Sequence, residues 1–162
     1  MITLVQRVTR AEVRVDQEVV AQIRAGLLLY VGVERGDSEG DADATARKVA
    51  ALRIFVGKHP LDRSVKDVGG ACLVVSQFTL AGSLRKGNRP GFDGAEEPDR
   101  ARALYQRVAE KLVAEGLTVA TGRFAAHMEV ESINDGPVTF VVLVRNATVQ
   151  SISEPTPKNS EG

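Results

Sequence analysis

The segment Ser76-Gln77-Phe78-Thr79-Leu80 places hydroxyl and amide side chains directly after an apolar strand. The apolar run covers residues 71–75, and backbone N–H groups and hydroxyls become free to face a ligand where a strand ends. Ser76, Gln77 and Thr79 could present polar groups there, and exposed backbone amides could stabilise an oxyanion during acyl transfer. The other interpretation is a polar strand end that caps a turn, and the residues alone favour it.

A second segment, Asn134-Asp135-Gly136-Pro137-Val138-Thr139, combines turn-forming residues with the start of a β-rich run. The simplest interpretation is a tight hairpin turn, since only about 5 to 6% of X-Pro bonds are cis in folded proteins. If the Gly136-Pro137 bond were cis, the two carbonyls could form a fixed recognition surface without side chains at a dimer seam.

The motifs that the chain lacks narrow the possible chemistry. It has two histidines, His59 and His127, and no HExxH, no paired cysteine ligands and no serine between elbow glycines. A Walker lysine motif and a GxGxxG motif are also absent, which argues against nucleotide hydrolysis and dinucleotide redox chemistry. We therefore expect neither a metal nor a cofactor, and we interpret each lone histidine as a packing residue.

The charge is balanced, with 21 basic and 21 acidic side chains. No global positive field exists to hold RNA, so any RNA contact must be local. Two groups of basic residues are candidates for such a contact, and on charge alone a solvated surface is the favoured interpretation for both: Arg7, Arg10 and Arg14, and Arg85, Lys86 and Arg89.

Length and composition predict one globular domain of 162 residues. The single cysteine, Cys72, lies in an apolar run and is expected to be a buried, inert thiol, which suits a reducing cytoplasm. No apolar run approaches the roughly 20 residues of a membrane helix. The start lacks the pattern of a signal peptide, and we expect no membrane partner.

The hydrophobic pattern predicts strands followed by two main helices and further strands. Gly136-Pro137 is expected to separate the last two strands as a turn, and the strand at 27–33 is expected to be central because it is apolar throughout. Residues 81–97 are predicted to form a long loop. Strands are predicted at 2–8, 11–15, 19–23, 27–33, 53–56, 71–75, 117–121, 128–133 and 138–144, helices at 39–52 and 98–115, and a flexible tail at 147–162 after a domain at 1–146.

Together these segments resemble the D-aminoacyl-tRNA deacylase family, and the similarity extends from Met1 to about Arg145. The SQFTL and NDGPVT segments carry it, with Val5-Gln6-Arg7-Val8, Leu52-Arg53-Ile54-Phe55 and Lys86-Gly87-Asn88-Arg89-Pro90 in the same order as in the family. The resemblance implies a compact α/β fold with a barrel-like mixed sheet. It also implies a homodimer with active sites at the subunit interface, and hydrolysis of D-aminoacyl-tRNA, with no DNA partner.

The resemblance also assigns roles to residues. Ser76, Gln77, Phe78 and Thr79 are expected to surround the terminal adenosine and the ester, and Thr79 is expected to position substrate, because an unactivated hydroxyl is a weak nucleophile. The Gly136-Pro137 carbonyls are expected to hold the substrate's α-amino group in the partner's pocket and to exclude L side chains. Two further pocket positions and one supporting residue complete the expected site: Phe124 and Met128, and Arg7, which would order the Gly-Pro segment. Removal of glycine mischarged on tRNA(Ala) is expected as well.

Two other classes remain open. One is a non-catalytic RNA-binding or dimeric interaction module, which the zero net charge and 4% aromatic content support poorly. The other is an amide or ester hydrolase of small molecules with a threonine nucleophile. A Thr79→Ala variant that still hydrolyses its substrate would remove the nucleophile hypothesis.

Overall fold

The computed structural model describes residues 1–150 as a seven-stranded mixed sheet packed against two helices. The sheet curls into a half-barrel with the order β5-β4-β3-β1-β6-β7, and β2 pairs with β1 outside this path. The predicted mixed α/β fold with two main helices is confirmed. The elements are β1 (Ile2–Val15), β2 (Glu18–Ile23), β3 (Gly26–Gly32), α1 (Glu39–Ala51), β4 (Ala71–Ser76), α2 (Pro98–Ala114), β5 (Thr118–Thr121), β6 (Glu129–Arg145) and β7 (Thr148–Gln150), with a short 3-10 helix at Phe78–Ala81.

Strands β3, β4 and β5 run parallel to one another, with α1 and α2 in the two connections between them. The carboxyl ends of β3 and β4 therefore meet at one edge of the sheet. The N–H of Gln77 continues the ladder by donating to the Val31 carbonyl at 2.8 Å. This edge places the SQFTL segment beside the end of β3.

The core lies on both faces of β3, which makes that strand central, as its continuous apolar run predicted. Leu27 and Leu29 pack toward the helices, whereas Leu28 joins a second cluster with Val13 and Leu73 on the opposite face. Alternate side chains of a strand point to opposite faces, so a strand covered on both sides must be apolar throughout.

Helix α1 begins at a capping box in which Ser38 and Asp41 exchange hydrogen bonds. Burial would raise the pKa of Asp41, but hydrogen bonds from the Ala147 and Ser38 backbones and from the Ser38 hydroxyl outweigh burial and lower it. The ionised carboxylate thus joins the start of α1 to the end of β6. Within residues 1–150, neither helix has the length and apolar character needed to cross a bilayer.

One predicted strand and the predicted start of the tail are wrong. The predicted strand at 53–56 is an extended segment with one bridge, from Phe55 to Arg63, because Ile54 and Phe55 are buried in the core without a neighbouring strand. The predicted flexible tail starts too early, because β7 pairs with β6 and the Ala147 N–H donates to Asp41 at 2.8 Å. The rest of that prediction, residues 151–162, lies outside the described residues.

The predicted hairpin turn at Gly136-Pro137 is also wrong, because β6 continues past it along the same partner. Gln6 pairs with Thr139 and Val8 pairs with Asn134, so four residues of β6, 135–138, lie opposite Arg7 alone. The segment therefore bulges out of the sheet without reversing the chain. The same turn-forming residues suit a hairpin or a bulge, and the pairing with β1 decides between them.

Candidate active site

A cavity of about 500 Å³ opens at the sheet edge where β3 and β4 end. Val31 and Val75 contribute apolar walls, and Ser76, Gln77 and Phe78 follow them at the mouth of the cavity. The complete lining comprises Val31, Val33, Val75, Ser76, Gln77, Phe78, Ala95, Glu96, Pro98, Ala101, Phe124, Ala125, Ala126, His127, Met128 and Val130. The structure thus brings together five of the predicted site residues: Ser76, Gln77, Phe78, Phe124 and Met128.

The SQFTL segment leaves β4 through the short 3-10 helix, which leaves two backbone amides unpaired. Leu80 N–H donates to the Gln77 carbonyl, and Gly82 N–H donates to the Thr79 carbonyl. Within residues 1–150, the N–H groups of Phe78 and Thr79 make no hydrogen bond, as expected in the first turn of a helix. These two amides are unpaired donors of the kind that one of the two sequence interpretations required at this strand end.

Thr79 lies beside the cavity rather than on its wall. Its hydroxyl accepts a hydrogen bond of 2.6 Å from the Gln77 side-chain amide, and its side chain is exposed. No hydrogen bond from His127 reaches Thr79 within the described part of the chain, although His127 lines the cavity. The contact that the structure gives Thr79 is therefore with the amide of Gln77.

Phe124 and Met128 come from the segment between β5 and β6. The Phe124 ring centroid lies 5.9 Å from that of Tyr105. The Arg102 guanidinium lies over the Phe124 ring, 5.0 Å from its centroid. Tyr105 is fixed in turn by its hydroxyl, which donates to the Val74 carbonyl at 2.8 Å. The aromatic wall is therefore held by α2 and β4 together.

Sequence reasoning missed Glu96 and His127 as lining residues. Glu96 lies just before α2 and accepts hydrogen bonds from the backbone N–H groups of Glu97 and Gly36, which lower its pKa, as does nearby Arg100. Its acidic position next to the helix start was the available signal. His127 carried none, because a single histidine in a loop matches no motif.

The Gly136-Pro137 segment is exposed and does not line the cavity of its own chain. Its peptide bond is cis, and Gly136 has a φ of 151°. A Cβ at Gly136 would lie 2.4 Å from the Val138 nitrogen, so this backbone requires glycine. Within one chain, the cavity and the Gly136-Pro137 segment therefore lie apart, although the resemblance assigns both to one active site.

Arg7 lies beneath this segment with only 7% of its surface exposed. Its Nε donates to the Asp135 carbonyl at 3.1 Å and lies 3.2 Å from the Asp135 carboxylate, while Nη1 donates to the Ile54 carbonyl at 2.6 Å. Asn134 adds a hydrogen bond from its amide to the Arg7 carbonyl at 2.9 Å. Arg7 therefore contacts the Gly-Pro segment and is not part of an exposed basic patch.

Comparison with known proteins gives one consistent result. The family model described as D-Tyr-tRNA(Tyr) deacylase matches residues 4–143. Proteins named D-aminoacyl-tRNA deacylase from Symbiobacterium thermophilum and Paracoccus denitrificans are 54% and 55% identical, over 86% of this chain in both cases and over 93% and 95% of theirs.

Solved structures share the fold. One described as "c-Myc DNA Unwinding Element Binding Protein" has a TM-score of 0.84 at 35% identity and covers 90% of this chain and 99% of its own. A second, described as a probable eukaryotic D-amino acid tRNA deacylase, has a TM-score of 0.73 at 17% identity, covers 86% of this chain and 97% of its own, and supports the fold alone. The expected family and hydrolase class are confirmed: the chain belongs to the D-Tyr-tRNA(Tyr) deacylase family.

Proposed function

We propose that the protein hydrolyses the ester of D-aminoacyl-tRNA in the cytoplasm and releases a free D-amino acid and tRNA. The observation that carries this proposal is the cavity at the end of β4, which Ser76, Gln77 and Phe78 line in a member of this family. Water attacks the ester carbonyl carbon, and the bond from that carbon to the ribose oxygen breaks. The ribose hydroxyl is then re-formed with a proton from the water.

The free amides of Phe78 and Thr79 support stabilisation of the tetrahedral intermediate. Backbone N–H groups that are already oriented lower the energy of a developing oxyanion without reorganisation. An aminoacyl ester is itself labile, so orientation of water by these amides and by the substrate's 2′-hydroxyl supplies the remaining rate enhancement. Thr79 contributes by fixing the Gln77 amide at 2.6 Å and positioning substrate.

Chiral selection, in this proposal, comes from the Gly136-Pro137 segment of a second copy. The segment is exposed, does not line its own cavity, and lies on a strand with exposed apolar side chains at Ile133, Phe140 and Val141. A homodimer would cover these side chains and carry the segment into the partner's cavity. The two carbonyls would then bind the α-amino group, with Arg7 holding Asp135 in place.

Rejection by main-chain atoms predicts broad tolerance of side chains. A main-chain surface that contacts Cα excludes one enantiomer whatever the side chain is. A pocket built of side chains must instead fit each amino acid separately. Glycine has no side chain to exclude, so glycine mischarged on tRNA(Ala) is a second expected substrate of the same site.

The proposed cytoplasmic location is supported by Cys72, a buried thiol whose pKa is raised by burial to about 12.

The test is release of D-tyrosine and L-tyrosine from matched charged tRNA, with and without a chelator. We expect rapid release of the D form alone and no change on chelation, because the proposed chemistry uses backbone and hydroxyl groups. Equal release of both forms would contradict the chiral filter. No release from either, despite tRNA binding, would favour the non-catalytic RNA-binding module.

A further inference from the structure

Residues 83–91 form an exposed hairpin, here named the cationic hairpin, beside the mouth of the cavity. Ser83 and Gly91 close it with two backbone hydrogen bonds of 2.7 and 3.0 Å, and Gly87 adopts a φ of 64° near its tip. Phe92 follows the hairpin and packs on Phe78 of the cavity wall, with the ring centroids 5.1 Å apart.

The chain beyond Phe92 is hydrogen-bonded to the segment that directly follows β3. The Arg35 N–H donates to the Gly94 carbonyl at 2.8 Å, and the Glu96 N–H donates to the Val33 carbonyl at 3.1 Å. The base of the hairpin is thus fixed to the end of β3 on one side and to the cavity wall through Phe92 on the other. Gly87 lies four positions along the chain from Ser83, which limits the reach of the tip to about 13 Å from that base.

The cationic hairpin carries three basic side chains, Arg85, Lys86 and Arg89, and no acidic one. All three are exposed, and within residues 1–150 none of them forms a salt bridge or donates a side-chain hydrogen bond. Most other arginines of the described chain are paired, for example Arg107 with Asp43 and Arg10 with Glu131. In a chain of zero net charge, this is a local concentration of unpaired positive charge.

We propose that Arg85, Lys86 and Arg89 bind phosphates of the tRNA acceptor end and so direct the terminal aminoacyl group into the cavity. This inference rests on the proposed function and extends it to the part of the RNA outside the cavity. Unpaired basic side chains on an exposed loop bind phosphates at little cost in broken ion pairs, and they contribute affinity without sequence preference. The juxtaposition of the hairpin base with Phe78 gives the RNA backbone a path from these cations to the ester.

The test replaces Arg85, Lys86 and Arg89 together by glutamine. The matched control is Arg24→Gln, Lys48→Gln and Lys58→Gln, which removes three exposed positive charges that do not line the cavity. Binding of uncharged tRNA is followed by fluorescence anisotropy between about 50 and 200 mM salt. Hydrolysis is compared for D-tyrosyl-tRNA and for D-tyrosyl-adenosine, which has the ester and the terminal nucleoside but no RNA backbone.

For the hairpin variant, we expect the salt dependence of log Kd to lose about 2 to 3 in slope, since each phosphate contact contributes about 0.7 to 0.9. We also expect the ratio of KM for D-tyrosyl-tRNA to KM for D-tyrosyl-adenosine to rise about tenfold. A slope and a KM ratio equal to those of the control variant would overturn the proposal. If the wild type binds tRNA but cleaves neither ester, the hydrolytic function fails, and the slope still decides the role of the hairpin.

Discussion

The cavity and the Gly136-Pro137 segment are held in place by different means. The cavity walls continue the ladder of β3 and β4 and are backed by the buried side chains of the core. The Gly-Pro segment leaves the ladder of β6 and is held mainly by Arg7 and Asn134. The sheet therefore fixes the cavity through many weak contacts, while the segment depends on a few strong ones. Single substitutions should therefore have different effects in the cavity and in the Gly-Pro segment.

The largest effect is expected from Gly136→Ala. The new Cβ would meet the Val138 nitrogen, so the backbone of the segment must shift. We expect about a 100-fold loss of kcat/KM for D-tyrosyl-tRNA, since misplacement of about 1 Å can cost that much. Because the segment is exposed, the midpoint of thermal unfolding should change little. Gly40→Ala, where a Cβ has ordinary contacts, is the control. Full activity of the Gly136→Ala variant would show that the Gly-Pro segment has no part in the reaction.

A smaller loss of activity, with a loss of stability, is expected from Arg7→Met. The change leaves the Ile54 carbonyl without its 2.6 Å partner and frees Asp135. We expect about a tenfold lower kcat/KM and about 2 kcal/mol lower free energy of unfolding, measured in urea.

Arg10→Met is the matched control for Arg7→Met on the same strand. Arg10 is half exposed in its pair with Glu131, so its loss should cost less than about 1 kcal/mol. An equal loss of unfolding free energy in the two variants would show that the burial of Arg7 does not increase its contribution to stability.

Thr79→Ala is expected to reduce kcat by about threefold to tenfold, as a positioning hydroxyl would. The hydroxyl contacts the Gln77 amide, and no base contacts it within the described residues. Loss of a nucleophile removes most of the rate enhancement, roughly 10⁴-fold or more. Single-turnover hydrolysis of D-tyrosyl-tRNA distinguishes the two, and a loss of the larger size would return Thr79 to the role of nucleophile.

The smallest effect on activity is expected from Asp41→Asn, which lies in neither region. Hydrogen bonds lower the pKa of Asp41 in the fold, so its ionised form stabilises the native state above the unfolded pKa of 3.8. That contribution is lost as the pH falls through the lower folded pKa. We expect the variant to be about 1 kcal/mol less stable near pH 7, with the difference narrowing below pH 3.8. A gap that widens in acid would contradict this sign.

The sequence predicted the parts of the molecule that local pattern determines. The run at 27–33 had to be central because its side chains are apolar on both faces, and residues 76–78 had to lie at a strand end. Phe124 and Met128 were placed only by family resemblance. No local pattern predicts that a segment some 50 residues beyond β4 closes the same cavity.

The remaining differences have physical reasons of the same kind. Asp135-Gly136-Pro137 suits a turn, and only the pairing of β1 with both halves of β6 makes it a bulge. Strand β7 has little apolar pattern; backbone pairing with β6 holds it, and Asp41 holds the preceding Ala147. Glu96 reached the cavity wall through backbone hydrogen bonds that no motif encodes.

The claim that the cavity and the Gly-Pro segment meet across two subunits is tested most directly by mixing two variants that are each expected to lose most of their activity. One carries Gly136→Ala, and the other carries Gln77→Ala with Phe78→Ala. In a mixed dimer, the intact cavity of the first variant receives the intact segment of the second. With random exchange, half of the dimers are mixed and each has one working site, so about a quarter of wild-type activity should return. Co-purification of differently tagged chains verifies the exchange. Verified exchange with no return of D-tyrosine release would contradict the account.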